Sequence, residues 1–422
     1  MRRKRQDSKE SSPESVWRLK SMKYVVMLCD GMADEPIEQL AGMTPLEAAK
    51  TPNMDRLMKK SELGMVQTVP TGMAPGSDTA NLSVMGYDPT IYYSGRSPLE
   101  ALSIGVDMKA DDVSFRCNVV TLSEEEEEYE KKHILDHSAD EIATEDAAIL
   151  IQALKEGLER EGYTFYTGVS YRHLLIQNHG KVVELTPPHD ILTKEIGAYL
   201  PEDEVLREMM KKSYEILSVH PLNVERKKKG LKPANSAWFW GAGTRPALSS
   251  FEEEYHKKGV MISAVDLLKG IAVGAQMDNI SVEGANGGLH TNYAGKAQAA
   301  IDALTKEGYD FVYIHVEAPD EMGHQGLVDA KIESIEKIDE HIIGPVADAL
   351  AESGMDLRML ILPDHPTPIC VRTHTGDPVP YMLYDSCAAE AENGMYCEKT
   401  AKVSGKFIEY GHELIKYLLQ EL

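Results

Sequence analysis

Residues 311–324 read FVYIHVEAPDEMGH: a six-residue run rich in β-branched and aromatic side chains, a break at Ala318-Pro319, then Asp320 and His324 four positions apart. The run has the composition of a buried strand. The spacing of four lets one helical turn present a carboxylate and an imidazole to a single ion. The same arrangement recurs elsewhere: YVVMLC (24–29) is followed by Asp30, LRMLILP (357–363) by Asp364-His365, and RTHTGDPVP (372–380) carries His374. In an open parallel sheet, groups just past the carboxyl ends of strands converge on one crevice. One aspartate after a strand is ordinarily a helix cap, but four such segments predict a metal centre. Carboxylate and imidazole without thiolate suit Mn²⁺, Zn²⁺ or Mg²⁺, and imidazole weights the choice towards the first two.

Outward from these segments, strands are predicted over 23–29, 64–69, 311–316, 357–362 and 379–383, and helices over 51–60, 77–85, 294–306 and 329–351. Such alternation predicts an α/β fold, a mostly parallel sheet with helices on both faces. Residues 111–268 read differently. They hold SFRCNVVTL (114–122), five glutamates (124–128), a helical stretch at 144–157, FYTGVSYRHLLIQ (165–177) and a Lys- and Pro-containing segment at 220–245. That mixture predicts an inserted α+β domain. The expected division is a core of 22–110 and 269–422, an inserted lid of 111–268, and a leader of 1–21. The leader is basic and Ser-rich, lacks the apolar stretch of a signal peptide, and reads as a disordered extension.

The chain has 422 residues, with 44 Lys and Arg against 68 Asp and Glu, for a formal charge of −24. So acidic a surface repels phosphate backbones, which argues against nucleic-acid binding. A small phosphorylated substrate stays open, because a metal or a local arginine cluster reverses the sign inside a pocket. No apolar run reaches the roughly 18 residues that span a bilayer. Five scattered cysteines without a CxxC pair fit a reducing cytoplasm better than a disulfide framework or a thiolate zinc site.

Ser77 lies in PGSDTAN, at a predicted helix start after the Gly- and Pro-containing loop PTGMAPGS (70–77). A serine there is ordinarily a cap, and no GxSxG elbow surrounds it. With metal ligands on neighbouring strand exits, the stronger reading is a metal-activated nucleophile.

The ordered segments CDGMAD (29–34), PGSDTAN, APDEMGH (318–324), LPDHPTP (362–368) and RTHT (372–375) resemble the alkaline phosphatase superfamily. More specifically they are similar to cofactor-independent phosphoglycerate mutases of the archaeal type. The resemblance runs from about residue 22 to 422 and includes KTPNMDRL, GRSPLEALSIGVDM, the FRCN strand, GVSYRHLL and ANSAWFWGAG. It implies two adjacent divalent-metal sites, one of Asp30, Ser77, Asp364 and His365, the other of Asp320, His324 and His374. Mn²⁺ is the leading metal, with Mg²⁺ or Zn²⁺ as alternatives. The family mechanism implies that Ser77 takes phosphate from 3-phosphoglycerate and that the trapped glycerate receives it on its 2-hydroxyl.

Such a mutase needs a lid that excludes water and brings positive charge to its substrate. Candidates in the insertion are Arg116, His137, Arg172, His173 and Arg226, with Asp112 or Asp136 as a proton shuttle. Arg172 and Arg116 lead because they lie in the family-like YRHLL and FRCN segments. Pro366 stands where better-known members have a glycine, and the DHPTP…RTHT version also resembles a bacterial branch proposed to act as homoserine kinase. That activity needs an ATP donor, and no GxxxxGK[ST] phosphate loop is present. A metal-dependent phosphatase of the same superfamily is a third reading, against which the large insertion argues.

Overall fold

The computed structural model describes residues 22–420, so the expected leader over 1–21 lies outside the described residues. Strands β1 (Met22–Cys29) and β2 (Ser61–Val66) open the chain. The insertion supplies β3 (Val113–Leu122), β4 (Ile134–Asp136), β5 (Tyr163–Val169), β6 (Arg172–Gln177) and β7 (Ser236–Thr244). The chain then returns through β8 (Gly259–Ile262), β9 (Asp278–Asn279), β10 (Phe311–Val316), β11 (Asp356–Leu362), β12 (Val379–Asp385) and β13 (Phe407–Ile408).

The large sheet has the order β13-β2-β12-β11-β1-β10-β8-β9. β1 is parallel to β10 and β11, while β12 runs antiparallel to β11 and β2. β1 is buried almost throughout because both faces are covered. Val25, Met27 and Cys29 enter one core, and Tyr24, Val26 and Leu28 enter the other. This is why its sequence is continuously apolar rather than alternating.

Two elements depart from expectation. β2 covers Ser61–Val66 rather than 64–69, since its pairing with β12 begins at Ser61 opposite Tyr384. The helix expected over 329–351 is Val328–Ile338, then a wide π-type turn at Asp339–Ile343, then Gly344–Glu352. The turn lets the Asp339 carboxylate accept hydrogen bonds from Met54 N (2.7 Å) and Asn53 N (3.0 Å) at the start of helix Pro52–Met58, where a negative charge is stabilised.

In the insertion, β3 pairs antiparallel with β6 on one side and β7 on the other. β5 lies beyond β6, and β4 pairs with the end of β3. Helices Thr144–Leu158 and Glu204–Leu217 share its own apolar core with the sheet. β8 falls inside the range expected for the insertion, yet pairs parallel with β10 in the large sheet. A four-residue GVMI run behind Lys257-Lys258 is too short to stand out as a strand in sequence. Helix Asp266–Gly274 packs against helix Arg96–Ser103. A Cβ on Gly270 would lie 1.8 Å from Leu99 O, so only glycine permits that crossing.

Candidate active site and metal centre

β1, β10 and β11 end side by side, with Leu28 opposite Leu362 and Cys29 opposite Val316. Asp30 therefore emerges next to the Asp364-His365 turn, and next to helix Ala318–Gln325 that carries Asp320 and His324. Gly31 takes φ +61°, and a Cβ on it would lie 2.6 Å from Asp320 Cα. Glycine lets these two exits meet. Lys331, fully buried, ties the loops behind them: its Nζ donates to Asp34 Oδ2 (2.7 Å) and Thr367 O (2.9 Å).

The predicted ligands converge. Asp320, His324 and His374 form one cluster, and Asp30, Asp320 and His365 a second, each with its ligand atoms within 4.8 Å of one another. Asp320 thus contributes to both, where sequence reasoning had placed it in one. His324 Nε2 lies 3.2 Å from Asp320 Oδ2 and 3.0 Å from His374 Nε2. The Asp364 carboxylate accepts from Gly31 N (3.1 Å) and His365 N (2.9 Å), and its Oδ2 lies 3.4 Å from His365 Nε2.

The electrostatics fit divalent cations. Asp30 Oδ1 is buried without a hydrogen-bond partner among the described residues, a costly state for a carboxylate oxygen unless a cation meets it. Burial, together with the Asp364 and Asp320 charges, pushes the Asp30 carboxyl well up. Burial also opposes ionisation of Asp320, but hydrogen bonds from His324 and His374 overcome it and hold this carboxyl well down. The same contact with Asp320 raises His324 to about 9. Three carboxylates and three imidazoles in so small a volume suit the borderline metals expected.

Ser77 is the first residue of helix Ser77–Val84, and its Oγ lies 3.2 Å from His365 Nε2. One turn on, Asn81 Nδ2 donates to Ser77 O (2.8 Å) and Asp364 Oδ2 (2.9 Å), while Asn81 Oδ1 accepts from Tyr313 OH (2.6 Å). His315 Nε2 lies 2.8 Å from Asp30 Oδ2. Sequence reasoning missed Asn81, Tyr313, His315 and Lys331. The available signals were a polar residue four positions after Ser77 and a histidine inside an otherwise buried strand.

Arg116 on β3 and Arg172 at the start of β6 approach each other, joined by Arg96, which sequence reasoning had not singled out. Glu100 accepts from Arg96 Nε (3.2 Å) and Arg116 Nε (2.9 Å), and the Arg116 guanidinium sits 4.1 Å above the Trp240 ring. A cavity of about 380 Å³ opens between insertion and core, lined by Arg96, Arg172, His173, Asp266, Asn286 and Glu317. Burial, then the Glu321 and Asp320 charges, lifts Glu317 to about 7. His173 is buried and lowered to about 4, with Nδ1 accepting from Gly168 N (3.0 Å). His137 packs beside Tyr171 (5.7 Å) and His189 (6.1 Å).

Three candidates have structural roles instead. Arg226 donates to Ala139 O (2.8 Å) and Lys232 O (3.1 Å) inside the insertion. Asp112 accepts from Lys109 N and Asn178 Nδ2. Asp136, although burial opposes it, is kept ionised by Lys232 at 2.7 Å and by Ser138, which unsuits it to shuttle protons.

Fold and site together define an α/β protein whose carboxylate and imidazole clusters, which could hold divalent cations, lie next to a group of arginines. No helix among the described residues is long and apolar enough to cross a membrane. The sequence profile of the 2,3-bisphosphoglycerate-independent phosphoglycerate mutases matches residues 59–223. The chain is 47% identical over 409 residues to the 2,3-bisphosphoglycerate-independent phosphoglycerate mutase of Methanosarcina barkeri, covering 94% of this chain and 100% of that protein. Among solved structures, a protein from Pyrococcus horikoshii aligns with a TM-score of 0.80 at 32% identity, covering 96% of this chain and 98% of that one. The cofactor-independent phosphoglycerate mutase of Thermoplasma acidophilum aligns with a TM-score of 0.62 at 27% identity, covering 96% and 100%. The chain belongs to the cofactor-independent phosphoglycerate mutase family and is an isomerase.

Proposed function

We propose that this enzyme interconverts 3-phosphoglycerate and 2-phosphoglycerate without 2,3-bisphosphoglycerate, through a phosphorylated Ser77. The observation that carries the reading is Ser77 Oγ at the start of a helix, 3.2 Å from His365 Nε2 and therefore at the edge of the carboxylate and imidazole clusters. Asp30, Asp364, His365 and Ser77, with Asp320, His324 and His374, would hold two divalent cations, Mn²⁺ foremost and Mg²⁺ or Zn²⁺ as alternatives. Bound there, such cations lower the pKa of a serine hydroxyl and neutralise phosphoryl oxygens.

This chain's own groups supply the rest. The free backbone N–H groups at the start of helix Ser77–Val84 favour an anion at Ser77. Asn81 fixes Ser77 to Asp364. Arg116 and Arg172, with Arg96, suit the substrate carboxylate and phosphate, since guanidinium forks bind both bidentately. His137 stands beside them on the insertion side. The insertion serves as a lid that keeps water from the phosphoserine while glycerate turns, which separates a mutase from a phosphatase. Five free cysteines accord with work in a reducing cytoplasm.

The names carried by the relatives favour the mutase over the homoserine kinase-like reading. The test is an enolase-coupled assay on Mn²⁺-loaded protein with 3-phosphoglycerate and no bisphosphoglycerate. Turnover of at least about 1 per second is expected, and none for Ser77→Ala. Undiminished turnover in Ser77→Ala would overturn the serine's role. Net release of phosphate would mark a phosphatase, and a silent but metal-loaded protein that phosphorylates homoserine from ATP would mark the kinase-like branch.

A further inference from the structure

We propose a second anion site, specific for a phosphate dianion, in the pocket around Arg358 at the end of β11 opposite the metal centre. Arg358 is the third residue of β11 and only 7% exposed, yet its Nε and Nη1 are buried with no hydrogen-bond acceptor among the described residues. Its nearest acid, Asp385, has Oδ2 3.7 Å from Nε, beyond hydrogen-bond reach. A buried guanidinium with empty donors is an unfavourable arrangement unless an acceptor visits it.

The guanidinium lines a cavity of about 330 Å³ with Lys59, Lys60, Lys406, Glu62 and Asp385. Lys60 donates to Ser386 O (3.1 Å) and Lys406 pairs with Glu62. The exposed Lys59 ammonium has no partner among the described residues. Four cations thus face two carboxylates on a chain of net charge −24. That local surplus of two positive charges matches a doubly charged anion. Planar N–H donors beside mobile ammonium groups suit phosphate oxygens. The site does not depend on the reading of Ser77, since it lies near the start of β11, at the opposite end of the strands from the Asp364-His365 turn.

The test is calorimetric titration of inorganic phosphate into the Mn²⁺-loaded full chain and into a Lys59→Ala/Lys406→Ala double variant, whose altered side chains lie at the surface. A Ser77→Ala chain is titrated in parallel. We expect a phosphate-binding step that persists in Ser77→Ala, weakens at least tenfold in the double variant, and disappears in Arg358→Gln. Mutase turnover of the double variant should stay within twofold of the parent. A 2-glycerophosphate arm distinguishes sources: displacement of phosphate by the ester assigns the site to phosphorylated metabolites, and failure to displace assigns it to free phosphate. An isotherm of the double variant that superimposes on the parent's overturns the proposal, as does acetate binding as tightly as phosphate.

Discussion

His315 Nε2 lies 2.8 Å from Asp30 Oδ2, and both side chains are buried. On the other edge of the ring, Nδ1 lies 3.1 Å from Ser263 Oγ. Burial, then the nearby Lys296 charge, lowers the imidazole to about 3, so it is neutral and offers one N–H. With the serine hydroxyl serving Nδ1, that N–H points at Asp30 and leaves Asp30 Oδ1 for a cation. Removing such an outer partner weakens metal binding about 10–100-fold. His315→Leu should show that loss in chelator competition, with the fold retained by circular dichroism. Unchanged metal affinity would contradict this orientation of the ring.

Metal binding and metal-free stability should respond to pH with opposite signs. His324 is raised to about 9 in the metal-free fold by Asp320, and it must lose its proton to serve as a ligand. Metal affinity should climb about tenfold per pH unit between 7 and 9. Without metal, the folded value lies above the unfolded value of about 6.5. The stabilisation is therefore complete below that value and is lost as pH rises through 9. Melting temperatures should fall from pH 7 to 9 in chelator and hold or rise in Mn²⁺. Parallel curves would refute this.

Lys331→Met should destabilise the protein by about 3–5 kcal/mol, because Asp34 is left as an unpaired buried charge. Urea denaturation measures it. Lys331→Met, Asp34→Asn should recover much of the loss, since neither charge remains. A single-variant loss below about 1 kcal/mol would mean that the pair is not ionised as drawn.

Gly31→Ala forces a side chain into φ +61° and to within 2.6 Å of Asp320 Cα. The left-handed conformation alone costs about 1–2 kcal/mol, and the clash must displace the Asp320 helix. Mn²⁺ binding should fall steeply in this variant even at temperatures where it stays folded, read by paramagnetic relaxation of solvent water.

Arg172→Ala and Arg96→Ala should raise KM for phosphoglycerate at least tenfold, each removing a charged contact worth about 1.5–3 kcal/mol. Steady-state kinetics separates this from an effect confined to kcat.

The convergence of Asp30, Asp320, His324, Asp364 and His365 was legible because each follows an apolar run, and a strand buried on both faces advertises itself without an alternating pattern. β10 matches its expected bounds, and helix Ser77–Val84 starts at the residue expected. The supporting groups were not legible. Asn81, Tyr313 and His315 find partners 232 to 285 positions away, and no local pattern encodes such pairs. Lys331 sits on a helix face that reads as ordinary amphipathic sequence. Asp320 reaches both clusters only because parallel neighbours bring three strand exits together. β8 was hidden by brevity, which moved the expected edge of the insertion into the core.

β1 is at the centre of the large sheet, yet it is made before either of its neighbours β10 and β11, and Gly31 N waits for Asp364 Oδ1 across 333 positions of chain. At roughly 5–20 residues per second of synthesis, the nascent strand spends some tens of seconds on the ribosome with both hydrogen-bonding edges open and neither neighbour yet translated. Its apolar run is thus a ready client for chaperones. A message broken before the codon for Asp364 yields a product without Asp364, His365 or His374, and so without three of the proposed ligands.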